Sequence, residues 1–371
     1  MGKPKKNLQR KARQARKDAG VPTVSVCTPT FNRRPFIPQI IACFLSQDYP
    51  MDKVEWIVVD DGTDKVKELF AGLDQVKYYE FDEKMSLGKK RNFMHTKATG
   101  DIIVYMDDDD YYPPCRISHA VKKLQAAPSA LCAGSSEIYI YFKHIQKMYQ
   151  FGPYGPNHAT AGTFAFKREL LEQTAYDDAA ALAEEKAFLK NYTVPFVQLD
   201  PMKTILVFSH EHNTFDKRRL LEAPHPDFVR ESAKTVPMFV KSLESRRFFM
   251  EEIDAKLADY APGKPDMKPD VLKQIVELEE SRRRDAETMR NQQGGVTVQR
   301  PGEAPTTLTH EQTVDLLRQQ QNEIDRLANE LQKRDAEIAQ LRKVLNKAFE
   351  KPTVARSGEV DTDDLISQIN S

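Results

Sequence analysis

The residues best suited to chemistry are four consecutive acids, Asp107, Asp108, Asp109 and Asp110, which follow the apolar run Ile102–Met106 and precede Tyr111, Tyr112 and Pro113. Adjacent carboxylates repel one another, and on a solvated loop such a run is only charge. At the end of a buried strand it is costly without a compensating cation. Alternate residues of an extended segment point to the same side, so Asp107 and Asp109 can share one ion. Hard carboxylate oxygens suit Mg²⁺ or Mn²⁺, ions that also ligate phosphates. On this segment alone, a metal site and a solvated acidic loop both remain open.

Other polar groups also stand at the ends of apolar runs. Val58, Val59, Asp60, Asp61 and Gly62 pass from a strand into acids and a turn. A carboxylate there can accept from a nucleobase N–H or a ribose hydroxyl, or the segment is an Asp–Gly turn with a cap. Thr28–Arg33 offers backbone groups, the aromatic face of Phe31 for a base and the Arg33 cation for phosphate. Ser86–Asn92 opens a helix with a glycine and three basic residues, and a helix N-terminus of that kind favours a diphosphate. His210 follows a strand in the run His210–Thr214. It is either an acceptable Mn²⁺ ligand or a capped surface histidine. Glu184 and Glu185 precede Phe188 and Leu189 at the start of an amphipathic helix, where acids also complement the helix dipole.

The elements that must position these groups read as an α/β domain over residues 21–230. Val24–Cys27, Trp56–Val59, Val76–Phe81 and Ile102–Met106 are short apolar runs expected as strands. Pro38–Ser46 and Gly88–Ala98 between them have helical periodicity. Each strand ends in polar or turn residues, where an open α/β sheet builds its site. Glu137–Phe142 and Ile145–Tyr149 read as two strands joined by a turn, which would make the sheet mixed, and Thr163–Phe166 and Thr204–Ser209 as further strands.

Taken in order, the segments Val24–Arg33, Glu55–Gly62, Gly88–Asn92 and Tyr105–Asp110 resemble the family 2 glycosyltransferases of the GT-A fold. In that family the corresponding elements end in Pro-Thr-Tyr-Asn, Val-Asp-Asp-Gly, Arg-Asn and an Asp-x-Asp. Phe31 replaces the usual Tyr, and the resemblance covers about residues 21–215. It implies a Rossmann-like mixed sheet flanked by helices, and transfer of a sugar from a nucleoside-diphosphate donor, a UDP-sugar in the first instance, to an acceptor hydroxyl with inversion. By position, Thr30, Phe31 and Asn32 would border the nucleotide beside Arg33. Asp61 would read the base with Asp60 supporting it, and Gly88, Lys89 and Arg91 would lie near ribose and diphosphate. Asp108 would face the ribose or sugar, and Asp109 would be the main ligand of Mn²⁺ or Mg²⁺. Asp107 is the first acid of the Asp-x-Asp, and His210 would complete the metal or phosphate site. Ala161–Phe166 resembles the strand that borders the sugar. Glu185 falls where the family carries its catalytic Asp, one methylene longer, with Glu184, Asp177 and Asp178 as competitors.

Two other readings compete. A sugar nucleotidyltransferase normally needs a glycine-rich loop after its first strand, and Thr28–Arg33 contains no glycine. An inactive domain serving as a coiled-coil scaffold would have no use for the acidic loop or Glu185.

The remainder of the chain reads as appendages. Among its 371 residues Lys+Arg and Asp+Glu are equal at 55 each, so bulk charge does not point to nucleic acid. Residues 1–20 are expected as a basic disordered tail, with eight Lys or Arg and no acid between Lys3 and Lys17. No apolar stretch follows them as in a secretory signal, and no run approaches the ~18–20 residues of a membrane span. Cys27, Cys43, Cys115 and Cys132 form no CxxC pair, as expected of reduced cysteines in the cytoplasm. Residues 231–290 read as a charged helical extension, 291–309 as a linker and 351–371 as a disordered tail. Over 310–350, Leu317, Ile324, Leu331, Ile338 and Leu345 recur every seven residues, joined by Leu327 and Leu341 and interrupted by Gln320 and Arg334. This is the seam of a coiled coil and the expected basis of a homo-oligomer.

Overall fold

The computed structural model describes residues 20–182, 185–222, 224–293, 296–299, 304–308 and 310–349. Residues 1–19 of the expected N-terminal tail, the whole of the expected C-terminal tail and Glu184 lie outside them. The chain divides into two compact units at Glu279 and Glu280.

In the first unit, four apolar runs form the parallel strands β1 (Val24–Thr30), β2 (Val54–Asp60), β3 (Val76–Glu80) and β4 (Ile102–Tyr105). Helices α1 (Ile37–Leu45), α2 (Leu87–Lys97) and α3 (Arg116–Ala126) follow three of them. Side chains alternate across the sheet, so Val26, Trp56, Val58 and Val104 pack with Ile40, Phe44 and Ile117 on one face. Cys27, Ile57, Val59, Ile103 and Tyr105 pack with Met94 of α2 on the other. Strands covered on both faces must be apolar throughout, which is why these runs were legible as strands. Trp56 stacks on Phe44 with ring centroids 4.2 Å apart, and its Nε1 donates to Thr28 Oγ1 at 2.8 Å.

Three further strands complete this sheet: β5 (Cys132–Gly134), β8 (Ala165–Lys167) and β9 (Phe196–Gln198), in the order β3–β2–β1–β4–β8–β5–β9. Antiparallel β8 makes the sheet mixed. The hairpin expected to do so, β6 (Ile138–Phe142) with β7 (Lys147–Phe151), builds a separate four-stranded sheet with β10 (Val207–Ser209) and β11 (Val229–Glu231). The parallel-rich mixed sheet flanked by helices is the architecture the resemblance implies. Its register aligns Thr30 with Asp60 and Cys27 with Tyr105, so the polar strand ends and the four acids emerge along one edge.

The first unit continues past residue 230. Val236, Phe239, Val240, Phe249, Ile253 and Leu257 are buried in the same core as Phe208, with Phe208 and Phe249 stacked at 4.3 Å. The helix α5 (Pro269–Gln293) begins in this unit. In the second unit, part of the expected linker is a two-stranded ribbon, β12 (Val296–Val298) with antiparallel β13 (Thr306–Leu308). Its β-branched residues favour extended backbone. Helix α6 (His310–Phe349) is continuous over 40 residues. Its seam residues Leu317, Ile324, Leu327, Leu331, Ile338, Leu341 and Leu345 are each 48–67% exposed. Among the described residues, no helix is long and apolar enough to cross a membrane.

Candidate active site

The loops that leave β1 and β4 meet the start of α2 around a cleft of about 300 Å³. Thr30, Phe31 and Arg33 form one wall, Lys90 and Arg91 another, and Asp107–Asp110 the floor, with Gly162, Lys217 and Lys268 opposite.

Arginines bracket the acids. Arg33 is buried, with Nε 3.5 Å from Asp108 Oδ1 and Nη2 3.4 Å from Asp109 Oδ2. The same Nη2 donates to the His212 carbonyl at 2.7 Å. Arg91 lies over the Tyr105 ring at 4.7 Å with Nη2 3.8 Å from Asp107 Oδ1. Burial raises Asp108 to about 7; Arg33 opposes that shift and Asp109 and Asp107 add to it. Burial and the neighbouring Asp109 also push Asp110 well above the carboxylate range. Asp109 stays well below it, because hydrogen bonding to His210 and the charge of Arg33 outweigh its burial. His210 is neutral, its pKa lowered to about 4 chiefly by burial, and its Nε2 stands 3.3 Å from Asp109 Oδ2 and 2.8 Å from Asn213 Nδ2.

A divalent cation fits this donor set. Asp108 Oδ2 and Asp110 Oδ1 are buried without a hydrogen-bond partner, a costly arrangement for carboxylate oxygens. Among the described residues no group of three or more His, Cys, Asp or Glu side chains is placed to hold a metal ion by itself. An ion of the Mg²⁺ type needs only one or two carboxylates and completes its shell with water and substrate phosphate.

The structure separates the residues singled out by sequence. Thr30, Phe31, Arg33, Arg91, Asp107, Asp108 and Asp109 line the cleft, and His210 lies behind Asp109. Asn32 does not reach it. At φ 52° its Oδ1 accepts from the Asp64 N–H at 2.9 Å and shapes the loop. Asp60 holds the same loop, accepting from the N–H groups of Gly62 and Val66 at 2.9 and 3.1 Å and from the Tyr78 hydroxyl. Asp61 is engaged by Lys90 and by the Met85 N–H at 2.6 Å, so both its oxygens already accept from protein donors. Gly88 is covered: its N–H donates to the Ala180 carbonyl at 2.8 Å and is spent before a diphosphate could use it. Lys89 faces outward, and Lys90 is the buried lysine. Helical spacing carries the signal for that burial, because Lys90 and Arg91 share a face with buried Met94, four and three residues on respectively. Glu185 opens the four-residue helix α4 (Glu185–Phe188) and is not among the cleft-lining residues. Asp177 caps the Ala179 N–H at 2.9 Å and Asp178 accepts from Asn92 Nδ2 at 2.6 Å. Asp110, part of the acid run but given no role of its own, lines the cleft with Lys217 and Lys268, which were not singled out; for Lys268, beyond the resembling segment, the sequence carries no signal.

Residues 25–182 match the family model described as glycosyl transferase family 2. The poly(ribitol-phosphate) beta-N-acetylglucosaminyltransferase TarS of Staphylococcus aureus is 30% identical over 92 residues, 24% of this chain and 16% of TarS. The glucosyl-dolichyl phosphate glucuronosyltransferase of Haloferax volcanii is 27% identical over 120 residues, 31% of this chain and 38% of that protein. The chain therefore spans well under half the length of either curated relative. Among solved structures, the mannosyltransferase PcManGT of Pyrobaculum calidifontis, in complex with GDP-Man and Mn²⁺, aligns at 19% identity over 64% of this chain and 74% of its own, with a TM-score of 0.43.

Proposed function

Residues 25–182 form a glycosyl transferase family 2 domain, and from that premise we propose that the chain is a metal-dependent, inverting transferase that moves a sugar from a nucleoside-diphosphate donor, a UDP-sugar in the first instance, to an acceptor hydroxyl. What carries the reading is the floor of the cleft: four acids at a strand end, Asp108 and Asp110 buried and Asp107 and Asp109 partly so, bracketed by Arg33 and Arg91. A solvated acidic loop has no reason to be buried there, and a scaffold has no reason to keep it.

On this reading Phe31 offers its ring to the nucleobase, and Arg33, Arg91 and Lys217 face the negative charge that grows on the departing diphosphate. Asp108, with a pKa of about 7, accepts a hydrogen bond from a ribose or sugar hydroxyl. Mn²⁺ or Mg²⁺ would be held by Asp109 with Asp107 and His210 beside it, and would supply Lewis-acid neutralisation of the diphosphate. Glu185 is the proposed base. It takes the acceptor proton as the hydroxyl oxygen bonds to C1 and the bond from C1 to the phosphate oxygen breaks. Its support is its position at the head of α4, directly after the loop that gives Ala181 and Leu182 to the cleft.

The exposed seam of α6 fits a second copy of this chain in parallel. Glu337 and Arg342 flank the seam residue Ile338, so that the acid of one helix meets the base of the other across the pair. The same reading takes the enzyme to act in the reducing cytoplasm, supported by four free cysteines of which three are buried. The test is UDP binding that requires the metal; the scaffold reading expects none.

A further inference from the structure

The segment after the helical turn Ile253–Ala258 crosses the cleft outside the family-matched residues. Tyr260 fastens one end: its hydroxyl donates to Asp64 Oδ2 at 2.8 Å, and its carbonyl meets His212 Nε2 at 3.0 Å. Gly263, at φ 82°, lies so close to the β1 loop that a Cβ there would stand 2.3 Å from the Asn32 carbonyl oxygen. At the other end Asp270 pairs with Lys84 Nζ at 2.6 Å. Gln274 accepts from the Ala181 N–H at 2.8 Å and donates to the Ala179 carbonyl at 2.7 Å. The strap is thus tied to both sides of the cleft, and between its ties it brings in Lys268.

Lys268 is only 4% exposed and lines the cleft. Its Nζ donates to Thr214 Oγ1 at 3.2 Å, and among the described residues no carboxylate lies within ion-pair distance of it. The other buried cations here are already engaged. Lys90 pairs with Asp61 and donates to the Thr30 carbonyl, Arg33 pairs with Asp108 and Asp109, and Arg91 faces Asp107, so each has a carboxylate beside it before any nucleotide binds. A buried ammonium with one hydroxyl for a partner is expensive unless the site receives negative charge.

We propose that Lys268 is a donor-binding residue whose ammonium pairs with the diphosphate of the bound nucleotide. The inference rests on the donor-site reading above and adds to it a contact from outside the family domain. The surroundings agree with it. Burial lowers Lys268 to about 6, Arg33 and Lys90 repel its charge, and Asp109 and Asp108 only partly offset them. A diphosphate adds what those acids do not supply, and a charge-assisted contact of this kind is worth about 1.5–3 kcal/mol, roughly 10- to 100-fold in affinity.

The experiment uses the full chain with Mn²⁺ and compares wild type, Lys268→Met and Lys268→Arg. UDP binding is followed by calorimetry and the nucleotide-free proteins by thermal denaturation. Lys268→Met should weaken UDP roughly 10- to 100-fold, and Lys268→Arg should recover most of that loss. Without nucleotide, Lys268→Met should melt no lower than wild type, since it replaces a buried amine that has one hydroxyl partner with an apolar side chain of similar length. Wild-type affinity in Lys268→Met overturns the assignment while the donor site stands. A loss of UDP binding accompanied by a lower melting temperature also overturns it, as the mark of a structural residue. A wild type that binds neither UDP nor GDP overturns the donor-site reading itself, and this assignment with it.

Discussion

A Cβ on Gly88 would stand 2.0 Å from the carbonyl oxygen of Asp177, so the first turn of α2 and the loop leading towards Glu185 meet backbone to backbone. Gly88→Ala must push that loop away, because the obstacle is a main-chain carbonyl that no rotamer change can move. We expect a loss of roughly 1–3 kcal/mol, the usual cost of overpacking, together with slower transfer. Gly155→Ala is the control, since its nearest neighbour would be His158 Cβ at 4.0 Å. Denaturant midpoints of the two variants check the contrast. Equal midpoints would mean that the loop yields without cost.

Glu185→Gln should leave UDP affinity near wild type and lower kcat roughly 10²–10⁴-fold, the usual worth of a general base. Glu184→Gln, Asp177→Asn and Asp178→Asn are the comparison set. Asp177 and Asp178 already serve as a cap and an acceptor for Asn92, so their variants should show smaller losses in kcat and lower stability. If Glu185→Gln retains most of its transfer while another member of the set does not, the base is that other residue.

The His95 imidazole lies inside the core with Nε2 2.6 Å from the Tyr105 hydroxyl, and burial, helped by Arg91, lowers its pKa to about 3. The folded pKa lies below the ordinary histidine value of ~6.5. The unfolded chain therefore takes up a proton that the native state refuses. Stability is full above pH ~6.5 and falls as pH drops towards the folded value, by at most ~1.4 kcal/mol per pH unit. His95→Gln keeps a partner for Tyr105 and does not titrate. Melting temperatures at pH 7.5 and 4.5 should differ less for this variant than for wild type. An equal difference would show that His95 does not contribute to acid sensitivity.

How much was legible depended on the range of the cause. Val24–Thr30, Val54–Asp60 and Ile102–Tyr105 were readable because a strand covered on both faces must be apolar along its length. The acid run was readable because it follows such a strand directly. The strands Cys132–Gly134, Phe196–Gln198 and Val229–Glu231 are three residues each, too short for periodicity to register. They are strands because of partners far along the chain. The protein partners of Asp61 and Gly88 were not legible for a related reason. Their residue types suit a nucleotide site, and the contacts they also make, to Lys90 and to the Ala180 carbonyl, come from segments far along the chain. Lys268 comes from a segment with no motif at all, and only the packing of Tyr260, Gly263 and Gln274 brings it to the cleft.

Truncation after residue 290 removes α6 and its exposed seam, while the cleft lies wholly within the first unit. The shortened chain should scatter light as a smaller species and should keep its affinity for UDP. An unchanged mass would assign the seam to something other than a second copy of this chain.

The metal-assisted donor site stands on the acids of the cleft floor. Its most direct test is calorimetric titration of UDP into wild type and Asp109→Asn, each with Mn²⁺ and with the metal chelated. Asp109 is held in its ionised form by His210 and Arg33. Wild type should bind UDP with Mn²⁺ and bind it far more weakly with the metal chelated. Asp109→Asn should bind weakly in both conditions, with a melting temperature close to that of wild type. Equal UDP affinity of wild type and Asp109→Asn in Mn²⁺ would contradict the metal-assisted donor site.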